Sequence, residues 1–167
     1  NKGIILGLAD ENLPYKVNDE GTIVAFVQAG ELWSYNKEED SFALVFSFAT
    51  SEKEDVRNRT PKHAIQILSM EANGNMTFSV CGYMNRGQHE GESSIAVYYY
   101  EQSQNCVEEE AFIPSTESAL VIEHKVHELA YYNKEPDVLY VMTDGTLLKV
   151  NMQEMKQEIL MESLQKG

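Results

Sequence analysis

Apolar and polar positions alternate with a period of two through most of the chain. Phe42, Leu44, Phe46 and Phe48 share one parity across SFALVFSF, and Met76, Phe78 and Val80 alternate with Thr77 and Ser79, the pattern of strands that lay one face on a core. The stretch from Thr22 to Val27 is instead almost continuously apolar and rich in β-formers, as expected of a strand covered on both faces. Turn signals separate these runs: Ala29-Gly30, Asn73-Gly74-Asn75, and Asp144-Gly145 between VLYVMT and TLLKVN. An Asp-Gly flanked by two apolar runs predicts a tight hairpin. The chain therefore reads as a succession of antiparallel meanders.

The meanders repeat. ELWSYNKEEDSFALVFSF (31–48), SIAVYYYEQSQNCVEEEAFIP (94–114) and TLLKVNMQEMKQEILMESL (146–164) each give an apolar strand, a four-residue polar turn and a second strand, with Tyr35, Tyr100 and Val150 in equivalent positions. The second and third segments are preceded by a further strand pair, HAIQILSMEANGNMTFSVCGY and HELAYYNKEPDVLYVMTDG. Four strands per unit is the plan of a propeller blade. The fold expected is all-β, with antiparallel blade repeats of β-propeller type. It forms one domain over 1–167 with units at about 15–48, 63–114 and 126–164. The repeat is unevenly spaced because of polar insertions at 50–62 and 84–93, and insertions of this kind go to loops where ligands are met. One segment carries a competing signal. Asn151 with Glu154 makes a capping-box pattern, and Met152, Met155, Ile159 and Leu160 fall at helical spacing, which argues a C-terminal helix. The match to the other two units argues a turn and an outer strand. Because tertiary context overrides local propensity, the strand is the expectation.

The LWSYN strand and turn, together with GYMNRGQHEGES-IAVYYYEQSQN and VLYVMTDGTLLKVN, resemble the uncharacterised propeller-like domains of envelope-attached or secreted bacterial proteins. The resemblance runs from about Thr22 to the end. It implies a propeller-type fold outside the cytoplasm, extracellular or at the cell envelope, and brings no catalytic residues with it. Rings close with about four to eight blades, whereas three units are visible here. The expectation is a partial propeller or a propeller fragment, whose ring is completed by the rest of a longer exported protein or by a second copy in a homodimer, unless the meanders pack as a sandwich instead. The absence of an initiating Met fits a segment cut from such a protein.

Charge narrows the partners. Asp and Glu total 27 against 13 Lys and Arg, a formal net charge of −14. The resulting field repels phosphate backbones, so no nucleic-acid partner is expected, and the plentiful aromatics lack the basic groove that strand binders need. No run approaches the ~20 apolar residues of a membrane helix, so direct membrane insertion of this segment is not expected. Hydrophobic residues at 43% and charged residues at 24% are ordinary for a folded domain. Cys81 and Cys106 have no metal-ligand spacing and read as free thiols.

Candidate chemistry is sparse. His124-x-x-His127 has the right residue types for two metal ligands but no helix to set their geometry. No metal or other cofactor is expected. Nucleophile-elbow, phosphate-loop and dinucleotide motifs are absent, so no catalytic residue is assigned. The acidic runs read as solvated turns. The most concentrated polar cluster is NRGQHEGE (85–92), which places Arg86, His89, Glu90 and Glu92 around two glycines, a composition suited to contacting a ligand or partner. Trp33 and Tyr35 are candidate aromatic contacts, since such rings stack on sugars and anchor interfaces. Consecutive tyrosines in VYYYE (97–101) and AYYN (130–133) point to both faces of a strand, so their rings either line a groove or pack between blades. The expected function is a non-catalytic recognition module for a protein, peptide or glycan. The alternative is a hydrolase of an envelope polymer, which requires carboxylates from different units to converge at a propeller mouth.

Overall fold

A computed structural model describes residues 15–47, 61–84, 90–113, 120–123, 125–132 and 134–162. They form three four-stranded antiparallel sheets. The first holds β1 (Tyr15–Val17), β2 (Ile23–Gln28), β3 (Glu31–Asn36) and β4 (Ser41–Ser47) in sequence order. The second holds β5 (Pro61–Met70), β6 (Met76–Met84), β7 (Ser93–Glu101) and β8 (Cys106–Ile113), and the third β9 (Val126–Tyr131), β10 (Val138–Thr143), β11 (Thr146–Asn151) and β12 (Lys156–Glu162). The innermost strands β1, β5 and β9 are successive neighbours in space, so the sheets stack face to face around a common side, as propeller blades do. Among the described residues no helix is long and apolar enough to cross a membrane.

Hydrogen-bond register shows the repeat residue by residue. The four-residue turns after β3, β7 and β11 join Asn36 to Ser41, Glu101 to Cys106 and Asn151 to Lys156. Each turn ends on a left-handed residue five positions after the equivalent Tyr35, Tyr100 or Val150: Asp40 (φ 51°), Asn105 (φ 49°) and Met155 (φ 55°). The outer hairpin of every sheet also has a register shift at one equivalent place, between Leu32 and Trp33, Val97 and Tyr98, and Leu147 and Leu148. Bulges sharpen local twist, and here the extra twist recurs at the same place in each of the three sheets. The segment with mixed signals is a strand. Asn151 accepts at Oδ1 from the N–H groups of Gln153 and Glu154 at 3.0 and 2.8 Å, as Asn36 does from Glu38 and Glu39 at 3.0 and 3.1 Å. The capping residue thus closes a turn, and β12 follows it.

The core lies between sheets. One face of the first sheet (Ala25, Leu32, Val45, Phe46) packs on Ile65, Ile67, Phe78, Val80, Tyr98 and Tyr100 of the second. Phe46, Phe78 and Tyr98 meet there at ring separations of 5.3–5.6 Å, within the range of favourable aromatic contact. The other face of the second sheet, including Ile95, Val97 and Ile113, packs on Leu129, Leu139, Val141, Leu148 and Val150 of the third. Burial of each such side chain contributes about 1.5–3 kcal/mol. The connection at Leu120–Ile122 seals this second core. Ile122 is fully buried and bridges to Ser93 as an isolated antiparallel pair.

Polar side chains pin the sheets to one another. Buried Asn18, in the β1–β2 link, accepts from Thr22 and Ile23 N–H at 2.9 and 3.0 Å and donates to the Ala72 carbonyl of the second sheet at 2.8 Å. Gln66 on β5 donates to the Leu129 carbonyl at 2.6 Å and accepts from the Leu129 N–H at 3.1 Å, so its side chain acts as a short substitute strand between the second and third sheets.

Candidate functional site

Stacking leaves a cleft of ≈ 300 Å³ between the second and third sheets, at the end that carries the β11–β12 turn and the β9–β10 loop. Its walls come from distant parts of the chain. Thr77 (β6), Val97 (β7), Glu110 and Ala111 (β8) form one side, and Tyr131, Pro136, Asp137, Met152 and Gln153 form the other. Alternation explains the assignment. On β6, Met76, Phe78 and Val80 point into the first core, which turns Thr77 and Ser79 toward the third sheet. The far wall is braced where the Met152 N–H donates to the Asp137 carbonyl at 2.7 Å.

Tyr131 is the central group. Burial, then the negative charge of Glu110, holds its hydroxyl above the ordinary tyrosine value, with a further contribution from Asp137, while a hydrogen bond with Thr77 acts in the opposite sense. The phenol is therefore neutral and available as a donor at physiological pH. Two carboxylates, a phenol, a threonine hydroxyl and the Gln153 amide, set beside the apolar Val97, Ala111, Pro136 and Met152, can hydrogen-bond a polar ligand and favour one with amine or hydroxyl donors. A second hollow of ≈ 330 Å³ lies where Val121 and Glu123 pass Thr146, Leu148, Gln157 and Ile159, with Gln157 donating to the Val121 carbonyl at 3.1 Å.

The residues singled out in the sequence fall elsewhere. Arg86 and His89 lie outside the described residues. Glu90 is exposed and Glu92 partly buried in the β6–β7 connection, at the end of the second sheet opposite the cleft. Trp33 and Tyr35 share the face of the first sheet turned away from the second. There Trp33 donates to Glu31 at 3.2 Å and Tyr35 to Asp40 at 2.7 Å, and the Tyr35 ring packs on Phe42 at 4.6 Å. The structure thus brings Trp33 and Tyr35 onto one face and keeps Glu90 and Glu92 together in one loop, but does not join the two pairs. Of the histidine pair, His124 lies outside the described residues, and His127 bonds to Asp144 on the surface. Among the described residues no group of three or more His, Cys, Asp or Glu side chains is placed to hold a metal ion. Burial pushes the Cys81 thiol up to about 12, which makes it a poor nucleophile.

The cleft residues carry no local sequence motif because they come from separate strands and turns. One signal was present: Tyr131 in AYYN sits at an alternating position between strand and loop, and it is this ring, not exposed Tyr132, that lines the cleft. No protein-family model matches the chain, and no curated protein matches it. Among solved structures, dipeptidyl peptidase 4 from Porphyromonas gingivalis superimposes with a TM-score of 0.47 at 11% identity, over 87% of this chain and 25% of that one. The chain thus spans a quarter of the length of the solved protein to which it is similar.

Proposed function

We propose that the chain is a non-catalytic recognition module acting outside the cytoplasm, which holds a short peptide or glycan in the cleft between its second and third sheets. The observation that carries this reading is the cleft itself: a 300 Å³ hollow in which Tyr131, Glu110, Asp137 and Gln153 converge from four separate segments. The likeness of the blade pattern to envelope-attached and secreted proteins supports the setting. Glu110 and Asp137 lining one cleft also favour a second reading, hydrolysis of an envelope polymer with one carboxylate as acid and the other as base or nucleophile.

A thermal-shift screen against cell-wall fragments, short glycans and basic peptides separates them. Binding to the folded state alone adds about 2.7 kcal/mol at a hundred times the dissociation constant. The recognition reading expects a ligand that raises the melting temperature, is recovered intact, and loses its effect in Glu110→Gln and Gln153→Ala. Turnover of the ligand, abolished in Glu110→Gln, establishes the hydrolase instead. A ligand shift unaffected by either substitution removes the cleft from both readings.

A further inference from the structure

The bulge shared by the outer hairpins sets one extra residue in the outer strand of each sheet. In β4 it is Val45, between Leu44, which pairs with Trp33, and Phe46, which pairs with Leu32. In β12 it is Leu160, between Ile159 and Met161, which pair with Leu148 and Leu147. In β8 the same position holds Glu110, between Glu109 and Ala111, which pair with Tyr98 and Val97. Bulges re-aim side chains: Val45 joins Phe46 in the first core, and Glu110 joins Ala111 on the cleft wall. The repeat thus carries an aliphatic residue at this place in two sheets and a carboxylate in the one whose bulge opens on the cleft.

Asp137 stands on the opposite wall, fixed where its carbonyl accepts from the Met152 N–H at 2.7 Å. Beyond the effect of burial, the charges of both Glu110 and Asp137 reach the Tyr131 hydroxyl, so a single cation beside that phenol meets both. Among the described residues lining the cleft there is no Lys, Arg or His to answer them. Ser79 is 0% exposed, is turned with Thr77 toward the third sheet and pairs in register with Val97 of the cleft wall, yet its hydroxyl has no hydrogen-bond partner among the described residues. An orphaned hydroxyl beside an open cleft is answered by a polar group brought from outside. The rest of the lining includes the apolar Val97, Ala111, Pro136 and Met152. A charged head on a methylene stem fits this division, because the stem lies along apolar surface while the head meets the carboxylates. The net charge of −14 draws cations toward the chain and repels anionic polymers.

We propose that the cleft takes the lysine or arginine side chain of a peptide, with Glu110 and Asp137 holding the cationic head from opposite walls and the apolar lining covering its stem. The proposal rests on the reading of the cleft as a ligand site and narrows that ligand to a basic peptide. A neutral glycan would leave both carboxylates unanswered.

Isothermal titration calorimetry of the 167-residue chain at about 0.15 M salt tests it, with short capped Gly-Ser peptides carrying Lys, Arg, norleucine or Glu at the centre, beside a neutral chitin oligosaccharide. Glu110→Gln and Asp137→Asn are compared with Glu20→Gln, an exposed carboxylate in the β1–β2 link, which changes the net charge equally. The Lys and Arg peptides are expected to bind at least about tenfold more tightly than the norleucine peptide, and to lose about tenfold or more in each cleft variant but not in Glu20→Gln. All three substituted carboxylates are exposed, unchanged thermal melts confirm that the variants fold, and the peptide series on the unsubstituted protein decides the question by itself. Equal weakening by all three substitutions reports attraction by the overall charge and overturns the proposal, as do equal binding of the Lys and norleucine peptides and no binding of any peptide. Oligosaccharide binding that is lost in Gln153→Ala, with the Lys peptide inert, keeps the cleft as a ligand site and overturns the cationic ligand. Lys-peptide binding indifferent to both cleft substitutions overturns the two together.

Discussion

Gln66 offers the sharpest test of how the sheets are held. It lies on β5 between Ile65 and Ile67, which are 6% exposed and face the first core, so its own side chain is directed at the third sheet. There it pairs with both backbone groups of Leu129, a residue 4% exposed. Gln66→Ala removes two hydrogen bonds worth about 0.5–1.5 kcal/mol each, and it strands a buried N–H and C=O, whose desolvation costs about 1–3 kcal/mol apiece unless water reaches them. The net loss expected is about 2–4 kcal/mol. Urea unfolding followed by far-ultraviolet circular dichroism measures it, with an unchanged denaturant slope confirming that the transition stays cooperative. Gln66→Glu adds a sign. An ionised carboxylate accepts from the Leu129 N–H but repels its carbonyl, whereas the protonated acid both accepts and donates. The introduced carboxyl therefore titrates higher in the folded state than its unfolded value of about 4.3. Stability is retained below that pH and lost as pH rises through the folded value. A loss below about 0.5 kcal/mol for Gln66→Ala, or a Gln66→Glu variant more stable at pH 7 than at pH 4 relative to wild type, refutes the clamp.

Two further outcomes follow from the structure. Gly74 (φ +93°) sits where an added Cβ would approach Ile23 Cδ1 to 2.6 Å, so Gly74→Ala is expected to cost about 2–4 kcal/mol. Gly21 (φ +72°) has nothing within 4 Å, and Gly21→Ala should cost only the backbone strain of about 1–2 kcal/mol; equal losses in chemical denaturation would contradict the close packing of the first two sheets. Exposed Cys106 should react with a thiol reagent at pH 8 while Cys81, raised to about 12 by burial, does not. One thiol should titrate in the native protein and two in denaturant, and two fast native thiols would show that the second core is open. Because the folded value of Cys81 lies above its ordinary 9.0, its contribution to stability is complete below pH 9 and declines as pH rises toward 12.

The fold was legible because each unit repeats the same local chemistry. The Asp144-Gly145 hairpin, the alternation along β6 and the equivalence of Tyr35, Tyr100 and Val150 all depend on residues near one another in sequence, and the structure shows the same turn and bulge three times. That bulge breaks the single parity read along SFALVFSF: Phe46 faces the first core, Phe42 and Leu44 face the opposite side of the sheet, and Phe48 lies outside the described residues. Helical spacing after Asn151 was the misleading signal. Its physical content, an Asn side chain accepting from the next turn's N–H groups, is the same in a helix cap and in a β-turn, and only the repeat distinguishes them. The cleft was much less legible. Glu110, Tyr131, Asp137 and Gln153 are ordinary residues of an acidic chain until stacking brings their strands together. The Gln66 clamp is likewise a single polar residue whose partner lies 63 positions away.

The cleft between the second and third sheets is the proposed ligand site. The most direct measurement is a backbone-amide nuclear magnetic resonance titration with the ligand that gives the largest thermal shift. Ligand binding in the cleft is expected to concentrate the perturbations at Thr77, Glu110, Tyr131, Asp137 and Gln153 and to leave Glu90 and Glu92, at the opposite end, unaffected. Perturbations centred on Glu90 and Glu92, or on Trp33 and Tyr35, with the cleft amides unchanged, would contradict it.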